Sequence, residues 1–214
     1  MKRISLLCLL QAFSALAFAD QAALTGWTGG TTVTAAGNDQ IYGWFFDIGG
    51  SGVNVTALGV SDYDNNGLSV SHDVGIYRVS DLTLLASATV PAGLGTTPLS
   101  GFRYGTLSSA ISLAPGSYVI IMTMPADNGD RQVYFADGGS VTTASPVTYV
   151  NSTISAGSAL AYPPPGCTGC FKEGVFGPNF RFVVPTTGVP EPSAALWTAS
   201  SVAVAALLRR RRRV

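Results

Sequence analysis

The chain is poor in charge, in cysteine and above all in histidine. Charged residues make up 11% of its 214 positions, against about 25% in an ordinary soluble domain. Those few are sorted along the chain. Lys2 and Arg3 open it and Arg209, Arg210, Arg211, Arg212 and Arg213 close it, so between residues 20 and 189 the only cations are Arg78, Arg103, Arg131, Lys172 and Arg181. Eleven acids share that stretch and leave it six charges negative. A body of that sign has no basic face to neutralise phosphates, which argues against nucleic acid as a partner. His72 is the sole histidine, so a zinc centre or a His-based triad has one residue to draw on. No G-x-x-x-x-G-K-[ST] or G-x-G-x-x-G opens a helix, no G-x-S-x-G elbow occurs and no fixed period repeats. Phosphate cradles and the hydrolase elbow therefore have no support.

Sustained helical periodicity is missing as well. Short apolar or alternating runs, separated by Gly, Asn, Asp and Pro, recur through the body, which is an all-β signature. Strands are predicted over 31–35, 41–48, 53–63, 73–79, 82–90, 101–107, 117–124, 131–136, 147–154 and 179–184. About ten antiparallel strands at that spacing predict a β-sandwich or jelly roll over residues 20–184. Most of the 25 glycines fall at the predicted turns. In "SYVIIMTM" Tyr118, Ile120, Met122 and Met124 share one face, and Val119 and Ile121 make the other apolar too, so this strand is predicted to be central. In "DLTLLASATV" Leu82, Leu84, Ala86 and Ala88 alternate with Thr83, Leu85, Ser87 and Thr89, the pattern of a half-exposed strand.

The richest polar stretch is "SDYDNNGLSVSHD". Asp62, Asp64 and Asn66 alternate before Gly67, and Asp73 follows eleven places after Asp62. The spacing approaches D-x-[DN]-x-[DN]-G with Asp as the last ligand, a set of hard oxygens able to wrap calcium. Flanking helices are absent, so the other reading is a long hairpin loop whose Asp, Asn and Gly supply turn geometry. His72 could act as a base beside Asp73 or the acidic loop in a glycan-active hydrolase; its other reading is a structural hydrogen-bonding residue at a strand entry. Carboxylate-pair hydrolysis is hard to place, since Glu173 is the only glutamate of the body. Exposed aromatic faces can stack sugars, although sandwich cores also consume aromatics; Trp27, outside the predicted strands, is the one placed most readily at the surface. An enzyme is thus the weaker class, and no catalytic residue is assigned.

The two ends carry different information. "MKRISLLCLLQAFSALAFAD" has a basic start, an apolar stretch and small residues at Ala17 and Ala19, which predicts a signal peptide over 1–19 cleaved after Ala19. With export, Cys167 and Cys170 of "PPPGCTGCF" are expected to close a small disulfide rather than act in redox chemistry or bind zinc. Residues 185–189 read as a linker. Beyond it, Ser193 to Leu208 are uncharged and as a helix would reach about 24 Å. That falls short of the ~30 Å hydrocarbon core, a marginal transmembrane helix, with the arginines retained on the cytoplasmic side.

Pro190, Glu191 and Pro192, the short apolar segment and the terminal arginines, in that order after an exported body, resemble the PEP-CTERM sorting signal of Gram-negative bacteria that make exopolysaccharide. The resemblance covers residues 190–214. It implies recognition by an exosortase, a membrane-embedded cysteine protease-transpeptidase, with cutting near the Pro-Glu-Pro and only transient residence in the inner membrane. It implies delivery to the cell surface or extracellular matrix. Val55 to Gly59, Asp62 to Leu68, Ser71 to Gly75 and Pro115 to Tyr118 further resemble an uncharacterised family of extracellular bacterial β-sandwich modules with V-T-A-L-G, acidic G-L, S-H-x-V-G and P-G-x-Y elements. That second resemblance implies a fold and leans toward a structural or glycan-binding module in exopolysaccharide or biofilm, without a cofactor unless the acidic loop takes calcium.

Overall fold

The computed structural model describes residues 20–35, 37–96, 98–134, 139–164 and 174–185, all but Pro185 within the first of two compact units, Met1–Val184. Among the described residues there are strands and no helix. In chain order they are β1 (Gln21–Ala22), β2 (Leu24–Thr28), β3 (Thr31–Val33), β4 (Gln40–Ile48), β5 (Val53–Ser61), β6 (His72–Arg78) and β7 (Leu84–Val90). There follow β8 (Phe102–Leu113), β9 (Gly116–Met124), β10 (Gln132–Tyr134), β11 (Ser140–Thr143), β12 (Val147–Ala156), β13 (Val175–Phe176) and β14 (Pro178–Val183). Every pairing is antiparallel.

Two sheets hold the core. One runs β1-β14-β5-β8 and the other β12-β4-β9-β6-β7, with β13-β10-β3 and β11-β2 as smaller additions. Alternation along the strands sends Trp44 and Phe46 of β4, Ile120 and Met122 of β9 and Ile76 of β6 into the same cluster as Leu58 and Val60 of β5 and Phe180 and Phe182 of β14. The facing apolar surfaces of the two sheets share one core, consistent with a β-sandwich. Each such side chain contributes about 1.5–3 kcal/mol on burial.

β9 lies between β4 and β6, and its unbroken apolar run follows from burial on both faces. Its even residues enter the main core, while Val119 and Ile121 join Ile41 and Tyr77 under Leu160 and Tyr162, which cover them from beyond β12. β7 departs from simple alternation. Its register against β6 shifts between Ile76 and Tyr77, so Ala86 pairs with Ile76 but Leu84 pairs with Tyr77. The extra residue, Leu85, turns Leu84 away from the face that Ala86 and Ala88 occupy. The short strands β1, β2, β11 and β13 are not among the strands expected from sequence, and Trp27 lies on β2 rather than outside a strand.

β2 is fixed from two sides. It pairs with β11, Trp27 opposite Val141, and Asn179 of β14 grips its first residue. The Asn179 amide accepts from the Leu24 N–H at 2.9 Å and donates to the Leu24 carbonyl at 2.9 Å, a side chain acting as a neighbouring strand. Asp20 is tied in too, accepting from Thr56 Oγ1 at 2.8 Å and pairing with Arg181 at 2.8 Å.

The signal peptide, Cys167 and Cys170, residues 186–189 of the linker, Pro190, Glu191, Pro192, the apolar segment and Arg209 to Arg213 lie outside the described residues. Among the described residues no helix is long and apolar enough to cross a membrane.

Candidate functional site

The loop between β5 and β6, residues 62–71, is held at both ends by buried carboxylates. Asp62 follows β5 and turns inward. Its Oδ1 accepts from the amides of Asn66 and Gly67 at 3.2 Å, and its Oδ2 accepts from Arg103 Nε at 2.5 Å. Gly67, with φ +93°, supplies the left-handed turn that brings its amide to this carboxylate, and a Cβ there would also press on Gly93. Arg103 donates its Nη1 to the Thr96 carbonyl, joining the loop to the segment before β8. Arg103 and Asp62 are both buried, so each supplies the counter-charge that the other needs away from water.

Asp130 holds the far end of the loop. It accepts from the Ser69 amide at 2.7 Å and the Val70 amide at 3.4 Å, and it lies 2.8 Å from His72 Nε2. Burial alone would raise the Asp130 pKa, but the His72 hydrogen bond and the Ser69 contacts outweigh it and hold the carboxyl below its ordinary range. His72 is 0% exposed. Its Nδ1 faces the Thr123 carbonyl at 2.8 Å, an oxygen that can only accept. Both ring nitrogens are thus occupied by protein partners inside the fold. A ring sealed from solvent in this way is not within hydrogen-bond reach of a substrate proton.

His72 and Asp73 point apart. Asp73 is exposed on the other face of β6, where Thr89 Oγ1 donates to it at 2.6 Å. The oxygens expected to surround calcium are dispersed in the same way: Asp62 is engaged by Arg103, Asp64 lies in solvent 3.5 Å from Arg131, Asn66 is exposed, and Asp73 faces Thr89. Among the described residues no three His, Cys, Asp or Glu side chains gather as a metal cage.

What the pinned loop presents outward is Tyr63, 46% exposed, followed by exposed Asp64, Asn65 and Asn66. Trp27 of β2 comes to meet it. The two rings are near-parallel, 26° apart with centroids separated by 6.5 Å, and Trp27 stands edge-on against buried Phe102 at 6.2 Å. No protein-family model matches the chain, and no curated protein matches it. The site is therefore read from its own geometry.

Of the residues singled out in the sequence, Asp62, Asp64, Asn66 and His72 do belong to one loop and its end, though in different roles. Arg103, Asp130 and Tyr63 complete it, and sequence reasoning does not reach the first two. Arg103 leaves one signal, a cation between Phe102 and Tyr104 in an apolar strand, which needs a buried partner. Asp130, 58 residues from His72, leaves none.

Proposed function

We propose that the chain is an exported, non-catalytic component of the cell surface or extracellular matrix. In this reading a β-sandwich module is delivered through a PEP-CTERM tail, handled by an exosortase and held only transiently in the inner membrane by its short apolar helix. It serves as a structural or glycan-binding element in exopolysaccharide or biofilm. The observation that carries the non-catalytic part is the use of His72. The single histidine of the chain is buried with both nitrogens engaged, and its carboxylate partner ties down backbone amides, so this acid–base pair supports a loop. The acidic body and the exposed Tyr63 with half-buried Trp27 beside it favour a sugar-rich partner over a phosphate-rich one.

Delivery is tested by intact-mass measurement of the mature protein from wild-type and exosortase-deficient cells. The expected result is loss of Arg209 to Arg213 in the wild type and their retention in the deficient strain. A wild-type C-terminus that still carries Arg213 sinks the processing claim.

A further inference from the structure

We propose that Trp27 and Tyr63 form a stacking platform for uncharged sugar residues of an extended polysaccharide. This site rests on the reading of the chain as a non-catalytic glycan-binding module. The C–H groups on one face of a pyranose ring carry partial positive charge, and an aromatic face carries the complementary negative quadrupole. At 6.5 Å between centroids the rings lie at the wide end of offset stacking, so neither covers much of the other. Tyr63, exposed, and the part of Trp27 that the core leaves uncovered together offer a broader aromatic surface than either alone.

Trp27 and the loop backbone that carries Tyr63 are held in place before any ligand arrives. Trp27 sits on a strand fixed by β11 and by the Asn179 grip on Leu24, with Phe102 against its edge. Tyr63 directly follows Asp62, whose carboxylate is locked by Arg103 and by the amides of Asn66 and Gly67. Ordering entropy that a floppy loop would lose on binding is therefore already lost in folding.

The surroundings select the sugar. Asn65 and Asn66, exposed on the same loop as Tyr63, carry amides that both donate and accept. Sugar hydroxyls need both kinds of partner. Asp64 and Arg131 lie 3.5 Å from each other, so neither charge is left unmatched for an ionic ligand. A net charge of −6 over residues 20–189 further disfavours polyuronates.

The test is native electrophoresis of the full mature chain through gels containing hydroxyethylcellulose, laminarin or dextran, with alginate as the acidic contrast. At least one neutral glycan is expected to retard the protein. Trp27→Ala and Tyr63→Ala should each weaken that retardation about tenfold or more, and Tyr63→Phe, which keeps the ring, should retain it. Because Tyr63 is exposed, its alanine variant keeps the test valid if Trp27→Ala fails to fold. The platform is overturned if no neutral glycan retards the protein, if alginate alone does so, or if the alanine variants migrate like the parent. It is also overturned if sedimentation shows a dimer that Tyr63→Ala dissolves, because a second copy then covers the rings. Release of reducing ends from the retarding glycan would instead overturn the non-catalytic reading while leaving the stacking surface in place.

Discussion

At the scale of single residues, the loop after β5 is organised by two side-chain pairs whose members lie far apart in the sequence. Asp62 and Arg103 are 41 positions apart, and His72 and Asp130 are 58 apart. Asp130 gives a pH prediction with a definite sign. Its folded-state pKa lies below the ordinary value of 3.8, so its stabilising contribution is present above the usual carboxylate range. That contribution is lost as pH falls through the folded-state value. Thermal melts between pH 7 and pH 2 should show the wild type losing stability below about pH 4 more steeply than Asp130→Asn. At neutral pH the variant should already be less stable by about 1.5–3 kcal/mol; parallel curves for the two proteins would count against this role. The residues of the loop are legible in the sequence as a turn-rich cluster, because Asp, Asn and Gly act locally. Their partners are not, because an ion pair formed across strands leaves no spacing to read.

Elements show the same division. The long strands β4, β5, β6, β9, β12 and β14 fall where alternation and apolar runs place them, within a few residues, since each has seven or more positions or strong β-formers to make the pattern. β1, β2, β11 and β13 have five residues or fewer and borrow their strand character from neighbours. β2, "LTGWT", contains a glycine and no alternation long enough to recognise. Its position depends on Asn179, buried at 0% exposure and fully engaged with Leu24, Phe180 and Tyr104. Asn179→Ala should cost about 1–3 kcal/mol, because the Leu24 N–H and carbonyl lose their partner. Hydrogen exchange should locate the effect: the Leu24 amide is expected to lose protection relative to β9. Equal protection at Leu24 in both proteins would show that β11 alone holds the strand.

For the whole molecule, the chain pairs an acidic all-β body with two ends of different composition. In the loop after β5, Asp62 is engaged by Arg103 and backbone amides, and Asp64 faces solvent beside Arg131. Metal dependence is accordingly expected to be absent. Chelator should leave the melting temperature unchanged, and calorimetric titration with calcium should give no binding heat. A stabilisation that grows with calcium concentration would show that Asp64 and Asn66 recruit Asp62 away from Arg103.

The sequence by itself determined the all-β class, the centrality of β9 and the sign of the body's charge. It also held the order of parts on which the PEP-CTERM resemblance rests. These are properties of composition and short-range period, which the chain carries whatever its fold. Only the tertiary structure decided that Asp62 faces a guanidinium, that His72 is sealed between Thr123 and Asp130, and that Trp27 stands beside Tyr63. Each of those meetings joins residues between 36 and 58 positions apart, and a β-sheet fixes such contacts through register and bulges rather than through any local pattern.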